Sequence, residues 1–337
     1  MKKKFMAILV LVAAVLASAF KQDPEYRKAR REGAIARINV CVVDDSGNGV
    51  SNPNVRVFMG MNLAPLGHSI SGVSDANGVF AVEGKTCGDE IVIEVDKGNH
   101  YSSYKKLCFA TMGAERDIRD GKWLPFGEMV KMKLRDVRHP LKQEMGGEFV
   151  STKALNRWIG FDLKKNDFVS PNGKGEVADL DVFIGWDGNW YPNYKGMELR
   201  IRFQNAHSGF YPVAKILDSR FHGPYHANAL ARYRNEEVRF YTQVLDDSTR
   251  TKKHWNENEC WVVRSRCEVD ADGNLVKANY SVVSSIGFAC RRDGCGAIRI
   301  ISLFNPTPND TNLEPMSYEA KKWLKAKKLG DQKDVQK

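Results

Sequence analysis

The 337-residue chain lacks the short motifs that mark most catalytic and cofactor sites. It has no C-x-x-C pair for zinc or redox chemistry, no G-x-S-x-G frame for a serine hydrolase and no phosphate-binding glycine loop. Beyond the first twenty residues it has no apolar run near the ~20 residues that span a bilayer. These absences leave no class of enzyme indicated and no cofactor or metal expected.

The N-terminal segment has the three parts of a secretory signal peptide. Three lysines precede the apolar run 5–17, and Ala17-Ser18-Ala19 supplies the small residues of a cleavage site. A transmembrane anchor is the alternative, but the apolar run is too short to cross hydrocarbon. We therefore expect residues 1–19 to be removed, with the mature chain exported to the periplasm, the cell surface or the medium and lacking a transmembrane segment.

Positive charge is in excess and concentrates at the C-terminus. The net charge is +10, of which the three signal lysines supply +3, and the segment Tyr318–Lys337 holds seven lysines against three acids. A solvated helix or frayed tail over 317–337 is the simpler interpretation; contact with anionic glycan or lipid headgroups is the alternative. Nucleic acid is not expected as a partner, because export separates the chain from it.

Seven cysteines in an exported chain are compatible with disulfides, although the odd number leaves one unpaired. Cys290 and Cys295 flank a turn-like Arg-Arg-Asp-Gly sequence, so a hairpin would bring them together. Cys260 and Cys267 have odd spacing on one predicted strand, which sends them to opposite faces. One bridge and one buried thiol are expected among the three cysteines of the N-terminal region, Cys41, Cys87 and Cys108.

Strand-like alternation begins at Ile38, after a polar lead-in over 20–37 that is either a short helix or disordered. Short apolar stretches are separated by segments rich in Asp, Asn, Ser and Gly, which are typical of tight turns. Two such turns are predicted in this region, at Asp44–Gly49 and at Asp75–Gly78.

The same segment resembles the carboxypeptidase regulatory-like domain family. The family's V-x-D-x-x-G-x-x-V opening and G-x-S-D-x-x-G-x-F centre are matched by Val42 to Val50 and Gly72 to Phe80. Its I-x-V-x-K-x-G close is matched by Ile93 to Gly98 with one residue fewer, because Gly98 directly follows Lys97. Asn99 and His100 lengthen the final turn relative to the pattern. The resemblance implies a prealbumin-type β-sandwich over residues 38–135 that acts as a non-catalytic module, and it carries over no catalytic residue.

The second half of the chain predicts another, larger β domain. A polar linker over 136–148 contains Pro140 and ends in two glycines. Runs rich in β-branched and aromatic residues then recur over 149–316, separated by turn residues such as those of Asp270–Asn274. The fold class expected is therefore all-β, with an antiparallel β-sandwich or jelly roll following the first sandwich and a short C-terminal helix.

One aromatic segment is the main candidate for ligand binding. Rings that stack on sugars, next to Asp and Asn that bond hydroxyls, are typical of glycan-binding surfaces. Burial of the same rings at the end of a sandwich core is the alternative, and large aromatic side chains are more often buried. The candidate residues are Trp186, Asp187, Asn189, Trp190, Tyr191 and Tyr194.

Two further groups of residues are weaker candidates. Asp179 and Asp181 would share one face of a strand, as a carboxylate pair or a calcium site requires. His222 and His226 have helical metal-ligand spacing, but Gly223 and Pro224 between them oppose a helix.

Taken together, these features predict an exported, non-enzymatic protein for recognition or assembly at the cell envelope, with a glycan or another envelope protein as its partner. A secreted carbohydrate-active hydrolase that uses acids such as Asp179, Asp181 or Asp187 is one alternative. A purely structural envelope component is the other.

Overall fold

The computed structural model describes residues 24–60, 68–109, 118–142, 144–186, 196–241, 255–291 and 293–334. The chain forms two compact units, Met1–Asp136 with Asp218–Arg220, and Val137–Leu217 with Phe221–Lys337. Strands dominate both units, and a helix closes the chain. The prediction of an all-β protein with two sandwiches and a short C-terminal helix is confirmed.

Over its described residues, the first unit contains one helix and eleven strands, which form two sheets and a two-stranded ribbon of His100–Tyr101 with Arg135–Asp136. In the β1 sheet, β1 pairs antiparallel with β4 and parallel with β10 and β9, and β9 pairs with β8. The β5 sheet has the antiparallel order β3-β2-β5-β7. The elements are α1 (Pro24–Glu32), β1 (Ala34–Val43), β2 (Asn54–Met59), β3 (His68–Val73), β4 (Val79–Thr86), β5 (Glu90–Asp96), β6 (His100–Tyr101), β7 (Ser103–Cys108), β8 (Ile118–Arg119), β9 (Lys122–Trp123), β10 (Glu128–Lys133) and β11 (Arg135–Asp136).

Part of the polar lead-in is helical. The sequence left open whether this segment is a short helix or disordered, and residues 24–32 form a helix. Helix α1 ends at Glu32 and is followed by Gly33. The amide of Gly33 donates to the Ala29 carbonyl, and its φ of +83° suits glycine. Strand β1 then begins at Ala34, four residues before the predicted start at Ile38. The early start follows from alternation, because Ala34 and Ala36 already point into the core.

The core of the first unit lies between its two sheets and includes Trp123. This side chain is fully buried, and its indole Nε1 donates to the Thr86 carbonyl at 3.0 Å. Its ring packs edge-on against Tyr26 of α1 and parallel to Phe109, with ring centroids 5.9 and 6.2 Å away. Because Tyr26 is part of this aromatic group, α1 belongs to the folded unit.

The second unit is built on two larger antiparallel sheets. In the β21 sheet the order is β12-β22-β21-β20-β18, and β13 also pairs with β22; the β16 sheet has the order β15-β14-β16-β17-β19. The elements are β12 (Glu144–Met145), β13 (Phe149–Thr152), β14 (Trp158–Asp162), β15 (Asp167–Phe168), β16 (Leu180–Gly185), β17 (Glu198–Arg202), β18 (Gly209–Ala214), β19 (Val238–Tyr241), β20 (Glu259–Val269), β21 (Leu275–Cys290), β22 (Gly296–Phe304) and α2 (Tyr318–Asp334).

The two sheets of the second unit are covered differently. Their facing sides share one core, to which the β16 sheet contributes Val182 and Ile201 and the β21 sheet Val263 and Ile298. The other side of the β21 sheet is also buried, by a second cluster that includes Tyr233 and Leu313. The other side of the β16 sheet instead carries polar and partly exposed side chains.

Among the described residues, no helix has the length and apolarity needed to span a bilayer.

A five-residue hairpin turn of one geometry occurs four times, beginning at Asp44, Asp75, Asp270 and Arg291. In each, the amide of the first residue donates to the carbonyl of the fifth, and the fourth residue is a glycine with φ between +80° and +89°. In the three that begin with Asp, its carboxylate also accepts the amides of the third and fifth residues. The turns predicted at Asp44, Asp75 and Asp270 are therefore confirmed.

Two of these glycines in the first unit give a matched test of turn packing. A Cβ at Gly47 would meet nothing within 4 Å, whereas one at Gly78 would lie 2.4 Å from the Val42 carbonyl oxygen. Gly47→Ala should cost about 1–2 kcal/mol, the penalty of a left-handed alanine. Gly78→Ala should cost at least about 2 kcal/mol more, because strand β1 must move. Urea unfolding of both variants measures the difference, and equal losses would contradict this packing.

Candidate functional site

Trp186 belongs to the hydrophobic core of the second unit. Its side chain is 5% exposed, and its backbone is held by the side chain of Asn156, which donates to the Trp186 carbonyl at 2.8 Å and accepts its amide at 3.0 Å. This position prevents the ring from stacking on a ligand, so the core-filling alternative describes Trp186. The rest of the predicted aromatic site, Asp187, Asn189, Trp190, Tyr191 and Tyr194, lies outside the described residues.

The six described cysteines carry free thiols, so the bridge expected among Cys41, Cys87 and Cys108 is wrong. Cys41 lies on β1 and Cys108 on β7, which belong to different sheets of the first unit. Cys295 is a buried thiol at the end of its hairpin turn, and the side chain of Cys290 lies outside the described residues. Burial raises the pKa of Cys260 to about 11, which makes that thiol a poor nucleophile.

Asp179 is buried in an ion-pair cluster that the sequence did not predict. Its side chain is 0% exposed and accepts hydrogen bonds from the Leu163 amide at 2.8 Å and the Ser265 hydroxyl at 2.6 Å. The guanidinium of Arg266 donates to both Asp179 oxygens at 2.9 and 3.0 Å and to Asp162 at 2.8 Å. One arginine thus joins two carboxylates, with its guanidinium carbon 4.6 Å from the ring centre of Phe304.

The backbone conformation of Arg266 and the hydrogen bonds of Asp162 show that this cluster is part of the folded structure. Arg266 has φ of +52° at a bulge in β20, a conformation that is strained for a residue other than glycine. Burial by itself would raise the pKa of Asp162, but hydrogen bonds from the amides of Glu176, Lys165 and Val177, together with the charge of Arg266, bring the pKa below its ordinary value. The carboxylates of Asp162 and Asp179 are therefore engaged in hydrogen bonds that hold the fold together.

Asp181 has partners of its own and forms no pair with Asp179. Its two oxygens accept from Arg202 Nε at 3.2 Å and Gln204 Nε2 at 2.9 Å. A glycosidase needs two acids placed on either side of one bond, whereas Asp179 and Asp181 are each bound to a different arginine and to further donors of the fold. His222 is also occupied, because its Nδ1 lies 2.8 Å from the Ile216 carbonyl. Within the described segments, no three His, Cys, Asp or Glu side chains are grouped closely enough to hold a metal.

The outward side of the β16 sheet carries a ladder of rings and guanidinium groups. Trp158, Phe183 and Arg200 are neighbours across the strands, and the two rings are 5.6 Å apart. Arg200 lies 3.8 Å from the Phe183 ring centre, and Arg202 lies 4.2 Å from that of Trp158. Glutamates 198 and 237 lie beside Arg200. Because arginines already occupy the rings and carboxylates balance the arginines, this ladder stabilises the sheet.

A groove of about 390 Å³ lies on the β5 sheet of the first unit. It crosses three adjacent strands, with Arg56 of β2 directly opposite both Ser71 of β3 and Glu94 of β5. Asn54 and Asp96 face each other one row further along. The full lining is Asn54, Val55, Arg56, Ser71, Gly72, Val73, Glu94 and Asp96.

The polar side chains of the groove are not committed to partners within the described part of the chain. Arg56 and Glu94 are opposite charges in a direct cross-strand pair, yet no ion pair or hydrogen bond joins them; the guanidinium of Arg56 instead lies 5.8 Å from the ring centre of Phe58. On the β1 sheet, the equivalent cross-strand pair of Arg37 and Glu83 does form an ion pair, at 3.7 Å. The groove therefore keeps donors and acceptors for a ligand.

An aromatic ring stands next to these polar groups. Tyr104 of β7 is directly opposite Glu94, so both side chains leave the same face of the sheet, and Tyr104 is 47% exposed. Sequence reasoning missed this site, because its residues come from four strands whose order the alternation pattern does not reveal. The one available signal was the run of polar residues on the outward positions of strongly alternating strands.

No protein-family model and no curated protein matches the chain. Solved structures with some likeness include 3-chlorocatechol 1,2-dioxygenase from Rhodococcus opacus 1CP, at TM-score 0.25 and 14% identity over 32% of this chain and 61% of that one. Catechol 1,2-dioxygenase from Acinetobacter radioresistens matches at TM-score 0.26 and 11% identity over 35% and 56%. The major pilin subunit of Bacillus cereus matches at TM-score 0.21 and 11% identity over 79% and 95%.

The chain thus spans less than two thirds of either dioxygenase. All three TM-scores are too low for a shared fold to carry an argument about function.

The buried ion-pair cluster gives a stability test. Asp179→Ala leaves the guanidinium of Arg266 with only one carboxylate partner, and should lower the free energy of unfolding by about 3–5 kcal/mol. Asp181→Ala is the matched control, because its partner Arg202 is 45% exposed, and should cost about 1 kcal/mol or less. Urea unfolding measures both losses of unfolding free energy. A loss for Asp179→Ala no larger than the small loss expected for Asp181→Ala would show that the cluster contributes little.

The lowered pKa of Asp162 predicts how its contribution depends on pH. A carboxyl group with a lower pKa in the folded state stabilises the fold above its unfolded pKa of about 4, and this contribution is lost as pH falls through the folded pKa. The difference in unfolding free energy between wild type and Asp162→Asn should therefore shrink on acidification from pH 7 to pH 3. A difference that stays constant or grows would contradict this assignment.

Proposed function

We propose that the chain is an exported, non-enzymatic binding protein of the cell envelope, that its ligand is a glycan, and that the glycan binds in the groove of the β5 sheet. The observation that carries this proposal is a concave surface whose charged and amide side chains have no hydrogen-bond or ion-pair partner among the described residues and lie beside an exposed tyrosine. The first unit is then a carboxypeptidase regulatory-like module that has a ligand of its own.

The groove offers the two kinds of contact that a saccharide requires. A sugar ring has an apolar face that stacks on an aromatic ring, which Tyr104 supplies at the edge of the groove. Its hydroxyls both donate and accept hydrogen bonds. Glu94 and Asp96 accept, Arg56 donates, and the side-chain amide of Asn54 does both.

The position of the groove on a sheet favours an extended ligand. Strands in a sheet are about 4.8 Å apart, so a path from Ser71 on β3 to Tyr104 on β7 crosses three strand intervals, about 14 Å. Two or three linked sugar rings span that distance. An oligosaccharide is therefore a better fit to the groove than a monosaccharide.

The proposal is tested by a glycan array probed with the mature chain from Phe20, followed by calorimetry on each ligand found. Tyr104→Ala and Asn54→Ala should each weaken binding about tenfold, because a stacking contact and a hydrogen-bonding amide are each worth about 1–2 kcal/mol. Tyr318→Ala is the matched control, since that tyrosine is 75% exposed and lies in the second unit.

Near-ultraviolet circular dichroism establishes that each variant is folded. Saturable binding that Tyr104→Ala weakens and Tyr318→Ala leaves unchanged supports the proposal. Absence of any ligand for the folded protein, or binding that neither groove variant affects, would contradict it. Binding lost instead through changes at Trp190 or Tyr191 would return the site to the segment first indicated by the sequence.

A further inference from the structure

We infer that the groove prefers a saccharide carrying a free ammonium group, an amino sugar that is not acetylated. This inference rests on the proposed function and names the class of glycan. It follows from the charges in the groove and from the way they are arranged along the strands.

The groove is locally acidic in a basic protein. Two carboxylates, Glu94 and Asp96, face one guanidinium, that of Arg56, whereas the whole chain carries a net charge of +10. Glu94 and Asp96 are two residues apart on β5, so they lie on the same face about 7 Å from each other. An ammonium group has three N–H donors and no acceptor, which suits a site bordered by carboxylate oxygens.

The arrangement of charged residues places the ligand's ammonium group at one end of the groove. Arg56 lies in the row of Ser71 and Glu94, and the next row consists of Val73, Asn54 and Asp96 without any basic side chain. The nearby ammonium of Lys97 is engaged with the Ser51 carbonyl at 2.9 Å. An ammonium group on the ligand therefore fits beside Asp96, and the hydroxyls of the next ring fit beside Arg56.

The charges of the groove are available because the fold does not use them. Lys106 leaves the same face of the same sheet, and its ammonium is paired with Glu90 at the far end of β5. Among the described residues, neither Glu94 nor Asp96 has such a partner. A bound cation would supply that partner, which gives an amino sugar an advantage over its neutral acetylated form.

The test compares two matched probes, a tetramer of glucosamine and a tetramer of N-acetylglucosamine, by calorimetry on the full mature chain at about pH 5.5. At that pH the amino groups of the glucosamine tetramer carry a positive charge. The glucosamine tetramer should bind at least about tenfold more tightly than the acetylated one. Raising the salt concentration to about 0.5 M should reduce that preference, because the contact is exposed to solvent.

Two conservative variants locate the effect. Asp96→Asn and Glu94→Gln keep the shape of the groove and remove one charge each, so each should reduce the preference at least about threefold while changing binding of the acetylated tetramer less than twofold. Glu83→Gln, which removes an exposed carboxylate from the β1 sheet, should leave the preference unchanged.

The outcomes separate this inference from the proposed function. Equal affinity for the two tetramers, or a preference that survives in both Asp96→Asn and Glu94→Gln, overturns the amino-sugar inference and leaves glycan binding in place. Failure of the folded protein to bind either tetramer also overturns the amino-sugar inference. Glycan binding itself then depends on the array, and it fails only if no other saccharide binds.

Discussion

The two-residue period of the β-strand is the constraint on which this structure depends. Every second side chain of β1 and of the apolar stretches in β5 and β16 enters the space between two sheets, which forms the core of each unit. The same period fixes what lies on the opposite sides of the sheets. On the β5 sheet it sends Arg56, Glu94 and Tyr104 outward together, so the candidate site is a consequence of core formation.

The charged groups of the chain have two different roles, and their surroundings distinguish them. The Arg266 cluster is largely buried, joined by several hydrogen bonds and held by a strained backbone, as expected of a group that fixes the packing of the second unit. The arginines of the ladder around Arg200 contact aromatic rings and carboxylates of the same sheet. The groove of the first unit differs from both, because Arg56, Glu94 and Asp96 form no ion pair with any described residue although opposite charges face each other across the strands. Uncommitted polar groups on a concave surface are the physical reason for placing recognition there.

Local sequence patterns predicted what local physics determines. The alternation of Ile38, Val40 and Val42 predicted a strand, and the Asp and Gly residues of Asp44–Gly49 predicted a turn whose hydrogen bonds are now visible. Sheet order was not predictable, because it depends on which strands meet at long range. For that reason the Asp162, Asp179 and Arg266 cluster and the groove, each assembled from three or more separate segments, were missed. Trp186 shows a second limit of local sequence patterns. A ring in a segment rich in glycine and asparagine is equally compatible with a surface and with a core, so the sequence does not decide whether it is buried.

The central claim is that the outward side of the β5 sheet receives a saccharide. Hydrogen exchange of the mature chain, with and without a saturating oligosaccharide from the array, tests this claim most directly, because it reports on every segment at once. Ligand bound in the groove should slow exchange in β2, β3 and β5 and leave exchange in the β16 sheet unchanged. Protection confined to the second unit, with β2, β3 and β5 unaffected, would contradict it.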